Sequence, residues 1–561
     1  VTALAGLCLL AGLACLGLHD RTYLTYDAAQ FLSMTESILE GRGASTRIIF
    51  YDHQHATGRV PTPQTNFPPG LAALVAGLGG LGLRPAPALF LVCVLAFVLV
   101  PLALRGALRA AGLSPGQSSG LAAAWFLFPV AWANVLGSYS DVPFVAATVG
   151  GFWALLRSRN ARSECAWLLL AGVLAGAALL VRYAGLFFIL LTAAWSALRF
   201  LRRPTSEAAR AAFCLNAPSL LTGAWLYLRN LAVVGTAEGM TILVVRRPAG
   251  EAVRHVVWAL QDFAGLSLSG LLRLRINEVL GLAALAVLAV LGLRALARDR
   301  RVGTRLRIPG AGLAAAYVLL TLAAFVYWAF NTSTFTLLDR YLLPLVPFGL
   351  FLAGATCRAV LSDGEFPVPR RRLAAGAGLL VLLAGQGGTL EAQARGLIRH
   401  SLRFRVAELA LRERLDGHTV ESLLRRSVSD RHPLLSMEPQ LVGALLGRPV
   451  VGLTTEPWTT RVWTQAEVLR TIGRYDVCYV LVLPRTNGII PRYANLPAMN
   501  EILDKTDPPW LEMRHSSPAV QLYATGRCGD EAAQRGSPPG VVPPRVPRGA
   551  GPAGRGQGES R

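Results

Sequence analysis

The sequence predicts an α-helical polytopic membrane protein of about eleven spans with a small C-terminal α/β domain, and three observations carry that prediction. First, 53% of the 561 residues are hydrophobic and only 16% charged. A mean hydropathy of +0.44 is too apolar for a chain whose whole surface meets water. Second, apolar runs recur at about the 20 residues that a helix needs to cross a bilayer. Third, arginines gather in short loops after every second run, the signature of membrane orientation.

The runs are 1–18, 86–104, 119–137, 140–156, 165–181, 183–198, 211–228, 279–297, 311–330, 341–360 and 373–389. The first begins at Val1 with no basic flank, so a short stretch is expected to precede it. A shorter, glycine-rich run at 70–83 falls below spanning length and reads as an interfacial or re-entrant helix. The arginines decide the topology. They cluster at Arg105/Arg109, Arg157/Arg159/Arg162, Arg199/Arg202/Arg203/Arg210, Arg294 through Arg307 and Arg370 to Arg372. With 70–83 uncrossed, all of these share the cytoplasmic face. The opposite face then receives the loop 19–85, the turns near 138–141 and 182, the loop 229–278, the turn 331–340 and everything after 390.

Three regions follow: a transmembrane domain over 1–393, an extracytoplasmic α/β domain over 394–528, and a Gly/Pro/Arg-rich tail over 529–561 that lacks the apolar residues to fold. In the second, Pro433–Met437, Pro449–Leu453 and Val477–Leu483 read as strands. Gln465–Ile472 reads as a helix, because Thr464 and Glu467 have capping-box spacing. Cys8, Cys15, Cys93, Cys165, Cys214 and Cys357 lie in or beside apolar runs and read as packing residues. Cys478 and Cys528 fall in the polar region, where an oxidising compartment would let them pair.

A net charge of +22 invites a nucleic-acid reading, but all the basic residues except Lys505 are arginines, many of them in loops between apolar runs. No nucleic acid is expected. There is no Walker-type phosphate loop, and no sizeable cytoplasmic domain is expected that would hold a nucleotide sugar. A lipid-linked donor, its tail received by the spans, follows more naturally.

The candidate chemistry lies on the non-cytoplasmic face. Phe31, Met34, Ile38 and Leu39 recur at helical spacing, so a short amphipathic helix is expected along the membrane surface with Asp27 at its N-terminal end. Arg340, Arg229 and Arg182 fall at the ends of spans, where a guanidinium close to hydrocarbon needs a partner, and a lipid phosphate is one. Asp141 opens a span on the same side. Asp52, His53 and His55 have metal-friendly spacing and are the candidate ligands for a divalent ion, no cofactor being certain.

Four motifs occur in a telling order: Tyr26-Asp27 leading to a short helix and Gly41; Asn66-Phe67-Pro68-Pro69-Gly70; Tyr139-Ser140-Asp141-Val142-Pro143; and Asp339-Arg340-Tyr341-Leu342-Leu343-Pro344-Leu345-Val346-Pro347. In this order, over roughly 20–390, the chain resembles the GT-C glycosyltransferases, specifically the family-39-like branch with the protein mannosyltransferases and the aminoarabinose transferase. The resemblance implies transfer of a monosaccharide from a polyprenyl-phosphate donor to an acceptor glycan, lipid or protein, at the outer face of a bacterial inner membrane. It gives Asp27 the role of general base and places Tyr26, Asn66, Pro68 and Pro69 in the substrate loop. The phosphate would be met by Arg340, Tyr341, Arg229 and Arg182, with Asp141 orienting the acceptor or helping to hold a divalent ion. Where many relatives have Asp-Glu, this chain has Asp27-Ala28 and lacks the second carboxylate. The rival readings are a transporter or lipid flippase, which would place its charges near the bilayer midplane and show internal repeats, and a polysaccharide polymerase or ligase.

Overall fold

The computed structural model describes residues 2–17, 25–237, 239, 248–264, 310–331, 339–362, 424, 432–454, 459, 461–482, 495–503, 508–517 and 520–527. The expected spans 279–297 and 373–389, Cys528 and the tail 529–561 lie outside these residues.

A helical bundle forms the larger part. It opens with α1 (Thr2–Gly17) and continues, after a folded loop, with α2 (Tyr26–Leu39), the short α3 (Asp52–Thr57), α4 (Gly70–Gly80) and the long α5 (Pro85–Ala110). At about 1.5 Å per residue α5 is about 39 Å long, ample for a bilayer, whereas α4 at about 16 Å is not. This agrees with the non-crossing reading of 70–83. Gly70, the first residue of α4, meets the end of a later helix so closely that an added Cβ would lie 2.6 Å from Leu180 Cβ.

The expected straight span 119–137 is instead broken into α6 (Pro115–Ala123), a 3-10 turn (Ala124–Leu127) and α7 (Pro129–Leu136), bent by 60°. Pro129 is the cause. It has no N–H to continue the helix and drives Phe128 into extended backbone. Beyond it run α8 (Asp141–Ser158), α9 (Glu164–Val181), α10 (Gly185–Arg202) and α11 (Ser206–Val234), then α12 (Ala249–Ala264), α13 (Ala311–Asn331), a 3-10 turn (Asp339–Leu342) and α14 (Leu345–Ser362).

Among the described residues five helices are long and apolar enough to cross a membrane, six if the bent pair counts as one. Their outward faces carry Leu201, Phe213 and Leu221 exposed, which suits a lipid solvent and no aqueous one. The chain is a multi-pass membrane protein. Cys165 and Cys214 do more than pack, because a disulfide joins them between α9 and α11. Cys8, Cys15 and Cys93 are free and buried. Cys478 is disulfide-bonded.

The second part is a sheet. Strand β1 (Ser45–Thr46) pairs with β3 (Thr62–Pro63), while β2 (Ile48–Ile49) leaves the first loop and runs parallel to β5 (Val450–Gly452). The order of the six-stranded sheet is β2-β5-β4-β6-β8-β7, with β4 (Leu434–Ser436), β6 (Tyr479–Val482), β7 (Glu512–Ser516) and β8 (Gln521–Ala524). Helices α15 (Pro439–Leu446), α16 (Gln465–Tyr475) and α17 (Pro497–Leu503) accompany it. Thr464 caps α16, its hydroxyl accepting from the Glu467 N–H at 3.3 Å. The Glu467 carboxylate, however, pairs with Arg461 and Arg470, so only half of the expected box forms. Ile49 is buried in one core with Leu435, Val451 and Trp463, so the first loop belongs physically to the sheet.

Candidate functional site

The site is built at the head of α2. Thr25 is its N-cap, with a hydroxyl accepting from the Ala28 N–H at 3.1 Å. Asp27 is therefore one of the first helical residues and not the cap. At the far end Gly41 takes φ +76°, with Gly41 N–H donating to Ile38 O at 3.0 Å and Arg42 N–H to Ser37 O at 2.8 Å. This Schellman-type ending needs a left-handed residue, which explains a glycine there. Phe31 and Met34 are fully buried, fixing the helix on the bundle.

Asp27 meets the late Arg-Tyr element directly. Arg340 Nη1 donates to Asp27 Oδ2 at 2.8 Å, and Arg340 Nη2 to the Tyr341 hydroxyl at 3.1 Å. The guanidinium also lies 4.4 Å from the Tyr139 ring centroid and 5.0 Å from that of Tyr341. Burial works against this charge, but Asp27, Tyr341 and Asp141 outweigh it and hold the arginine protonated above its usual range. The Nε donor has no partner among the described residues, an unspent hydrogen bond on a buried cation.

A second pair stands beside the first. Arg182 Nη1 donates to Asp141 Oδ2 at 2.7 Å and to Ser140 Oγ at 3.1 Å, and its guanidinium lies 5.5 Å from the Tyr341 ring centroid. Tyr341 thus stands between two arginines, each tied to a carboxylate. Ion pairs with this little solvent contribute little net stability, because desolvation offsets attraction. Side chains of Asp27 and Arg340 are 17% and 12% exposed, so the pair is shielded yet reachable. Such an arrangement can hold an anion and accept a proton.

The other sequence candidates are placed differently. Arg229 is no part of this cluster: its guanidinium donates to the carbonyls of Ala44 at 3.0 Å and Gln64 at 2.9 Å, holding the first loop. The Tyr26 phenol turns to Glu438 at 3.0 Å. Asn66 is buried with its Oδ1 unpartnered among the described residues, while its side chain bonds Tyr51, a buried phenol that feels Asp27, Arg340 and Tyr341. Pro68 and Pro69 lead into α4, Pro69 as its N-cap.

Asp52, His53 and His55 do not converge. Asp52 takes Thr459 at 2.6 Å and Arg461 at 3.2 Å, His53 faces the Thr65 hydroxyl at 3.2 Å, and His55 is buried against Trp463 and Tyr475. No group of three or more His, Cys, Asp or Glu side chains able to hold a metal gathers among the described residues. The loop is tied together internally. Gln64 donates to Gln30 at 2.8 Å, Gln54 to Gln64 at 3.3 Å, and Thr46 to Gln30 and Ser33 at 3.1 Å each, a buried polar network.

Sequence reasoning did not single out the ring of Tyr139, although it stands inside a quoted motif, nor Tyr51 and Glu438. Glu438 gave no local signal, since its phenol partner is 412 positions away.

The bundle, its folded first loop and the late Arg-Tyr turn make up a multi-pass helical fold that solved membrane proteins share. In particular, the chain is similar to ArnT from Cupriavidus metallidurans. The apo structure of that protein superposes with a TM-score of 0.53 at 13% identity, covering 94% of this chain and 98% of that one. Its structure bound to undecaprenyl phosphate gives 0.55 at 13% identity, covering 94% and 99%. The archaeal oligosaccharyltransferase AglB from Archaeoglobus fulgidus, in complex with an inhibitory peptide and a dolichol-phosphate, is more distant at 0.47 and 12% identity, covering 93% and 74%. No protein-family model and no curated protein sequence matches the chain.

Proposed function

We propose that this chain is a glycosyltransferase of the bacterial inner membrane that moves a monosaccharide from a polyprenyl-phosphate donor to an acceptor hydroxyl at the outer face. The observation that carries the reading is the Asp27–Arg340 ion pair at 2.8 Å, set beside the Asp141–Arg182 pair. It joins the first loop to the late Arg-Tyr turn on a fold shared with a protein solved with undecaprenyl phosphate.

In the reaction the acceptor oxygen attacks the anomeric carbon as the bond from that carbon to the phosphate oxygen breaks. The acceptor proton goes to Asp27, and the polyprenyl phosphate leaves with its negative charge. Attack from the opposite side inverts the anomeric centre. Arg340 has the unspent Nε donor for that developing charge, with Tyr341 and Arg182 next to it. A phosphate entering here competes with Asp27 for Arg340, so donor binding releases the carboxylate that must act as base. Asp141, held by Arg182, orients the acceptor. Nothing in this scheme requires a metal ion. The sheet, lying on the same outer side and built in part from the first loop, would form the acceptor's approach.

The test is sugar transfer from radiolabelled polyprenyl-phosphate sugars by the protein in reconstituted vesicles. Asp27→Asn is expected to lower kcat by at least about 10²-fold, the low end of general-base contributions. Transfer unaffected by that change removes Asp27 from the mechanism, and solute uptake without transfer favours a transporter.

A further inference from the structure

The missing second carboxylate directs attention to any acid that the fold brings to the head of α2 from elsewhere. One is there. Glu438 lies where β4 gives way to α15, its backbone N–H donating to Ser436 Oγ at 3.3 Å, and α15 packs on α2. Its Oε2 accepts the phenol proton of Tyr26 at 3.0 Å, and Tyr26 immediately precedes Asp27.

Glu438 differs from other acids of the first loop and the sheet region. Glu36, Glu40, Asp52 and Glu467 each pair with an arginine, whereas Glu438 is partly buried and has no cationic partner among the described residues. Burial raises its carboxyl pKa, the phenol only partly offsetting this. A carboxylate in that setting is a burden on stability unless its hydrogen bond does something. What the bond touches is the first turn of the helix that presents Asp27.

We propose that Glu438 is a positioning residue: through the Tyr26 phenol it fixes the first turn of α2, and so the angle at which Asp27 meets the acceptor hydroxyl. The sheet thereby completes the site and does more than roof it. This inference rests on the transferase reading above for its kinetic part, but not for its structural part.

The experiment compares Tyr26→Phe, Glu438→Ala, the double variant and Glu438→Gln in reconstituted vesicles. It reads transfer kinetics and, separately, hydrogen exchange of the amides from Ala28 to Phe31. Tyr26→Phe and Glu438→Ala are each expected to lower kcat about tenfold, as a slightly misplaced catalytic group does, with donor KM within about twofold of the parent. The double variant is expected to be no worse than either single, since both break one bond. Glu438→Gln, whose amide oxygen still accepts the phenol proton, is expected to recover most of the loss. Exchange in the first turn should quicken in both single variants.

Multiplying effects, a Glu438→Gln as poor as the alanine variant, or unchanged exchange would each overturn the proposal. Tyr26→Phe removes one oxygen from a half-exposed ring, so it keeps the test valid should Glu438→Ala fold poorly. A parent protein without transfer would sink the functional reading alone, and the exchange arm would still decide this one.

Discussion

Two arginines show how residue type and residue role separate. Arg340 and Arg229 both border apolar runs, but one holds a carboxylate and keeps a donor in reserve, while the other spends its guanidinium on the carbonyls of Ala44 and Gln64. Arg229→Ala is therefore expected to speed amide exchange across the first loop. Arg340→Lys should keep the fold and lose transfer, because an ammonium lacks the planar fork that meets first Asp27 and then, in its place, a phosphate. A second residue-scale effect belongs to His55. Burial, helped by the Arg461 charge, pushes its pKa down from 6.5 to about 3. The unfolded chain then binds a proton that the folded one does not, so stability is full above about 6.5 and falls by about 1.4 kcal/mol per pH unit below it. Burial also pushes His53 down, to about 4, so denaturation of the loop-sheet region between pH 7 and pH 4, followed by amide exchange, should show about twice this slope, and His55→Leu should remove about half of it. The candidate site residues Asp27, Asp141, Arg182 and Arg340 were legible in sequence because they stand in ordered motifs or at the ends of apolar runs. The partnerships Tyr26–Glu438 and Asp52–Arg461 were not, because neither has a local pattern linking residues 412 and 409 positions apart.

Among elements, hydropathy located helices at the runs that the structure describes, but those at 1–18, 140–156 and 341–360, expected to span, are not among the ones long and apolar enough to cross. The run 119–137 is apolar throughout, and only Pro129 says that it bends. Helix α4 was readable as non-crossing by length alone. What length did not reveal is how tightly it docks: Gly70→Val would drive a side chain into Leu180, and a loss of about 1–3 kcal/mol in unfolding stability is the expected overpacking effect. Strands β4, β5 and β6 were visible as short apolar runs. Strand β2 is just Ile48 and Ile49, too short for any periodicity, and exists because β5 offers it a parallel edge and a core. Ile49→Asp should release that edge and expose to exchange the Val450 amide, which donates to Arg47 O at 2.9 Å, while the Val451 amide, facing β4, stays protected.

At the scale of the molecule, the first loop emerges as the hub. It contributes a strand to the sheet, a carboxylate to the Arg-Tyr turn and a surface to the end of α9, so the sheet cannot shift without moving the head of α2. A chain arranged in this way changes its site by exchanging partners within it more readily than by swinging a separate lid. The exchange that matters most is that of Arg340 between Asp27 and an incoming phosphate. Binding of radiolabelled undecaprenyl phosphate to the reconstituted protein tests it directly. Arg340→Ala is expected to weaken binding about tenfold or more, and Asp27→Ala to strengthen it, because the competing carboxylate is gone. Binding left unchanged by Arg340→Ala, or weakened by Asp27→Ala, would contradict the account.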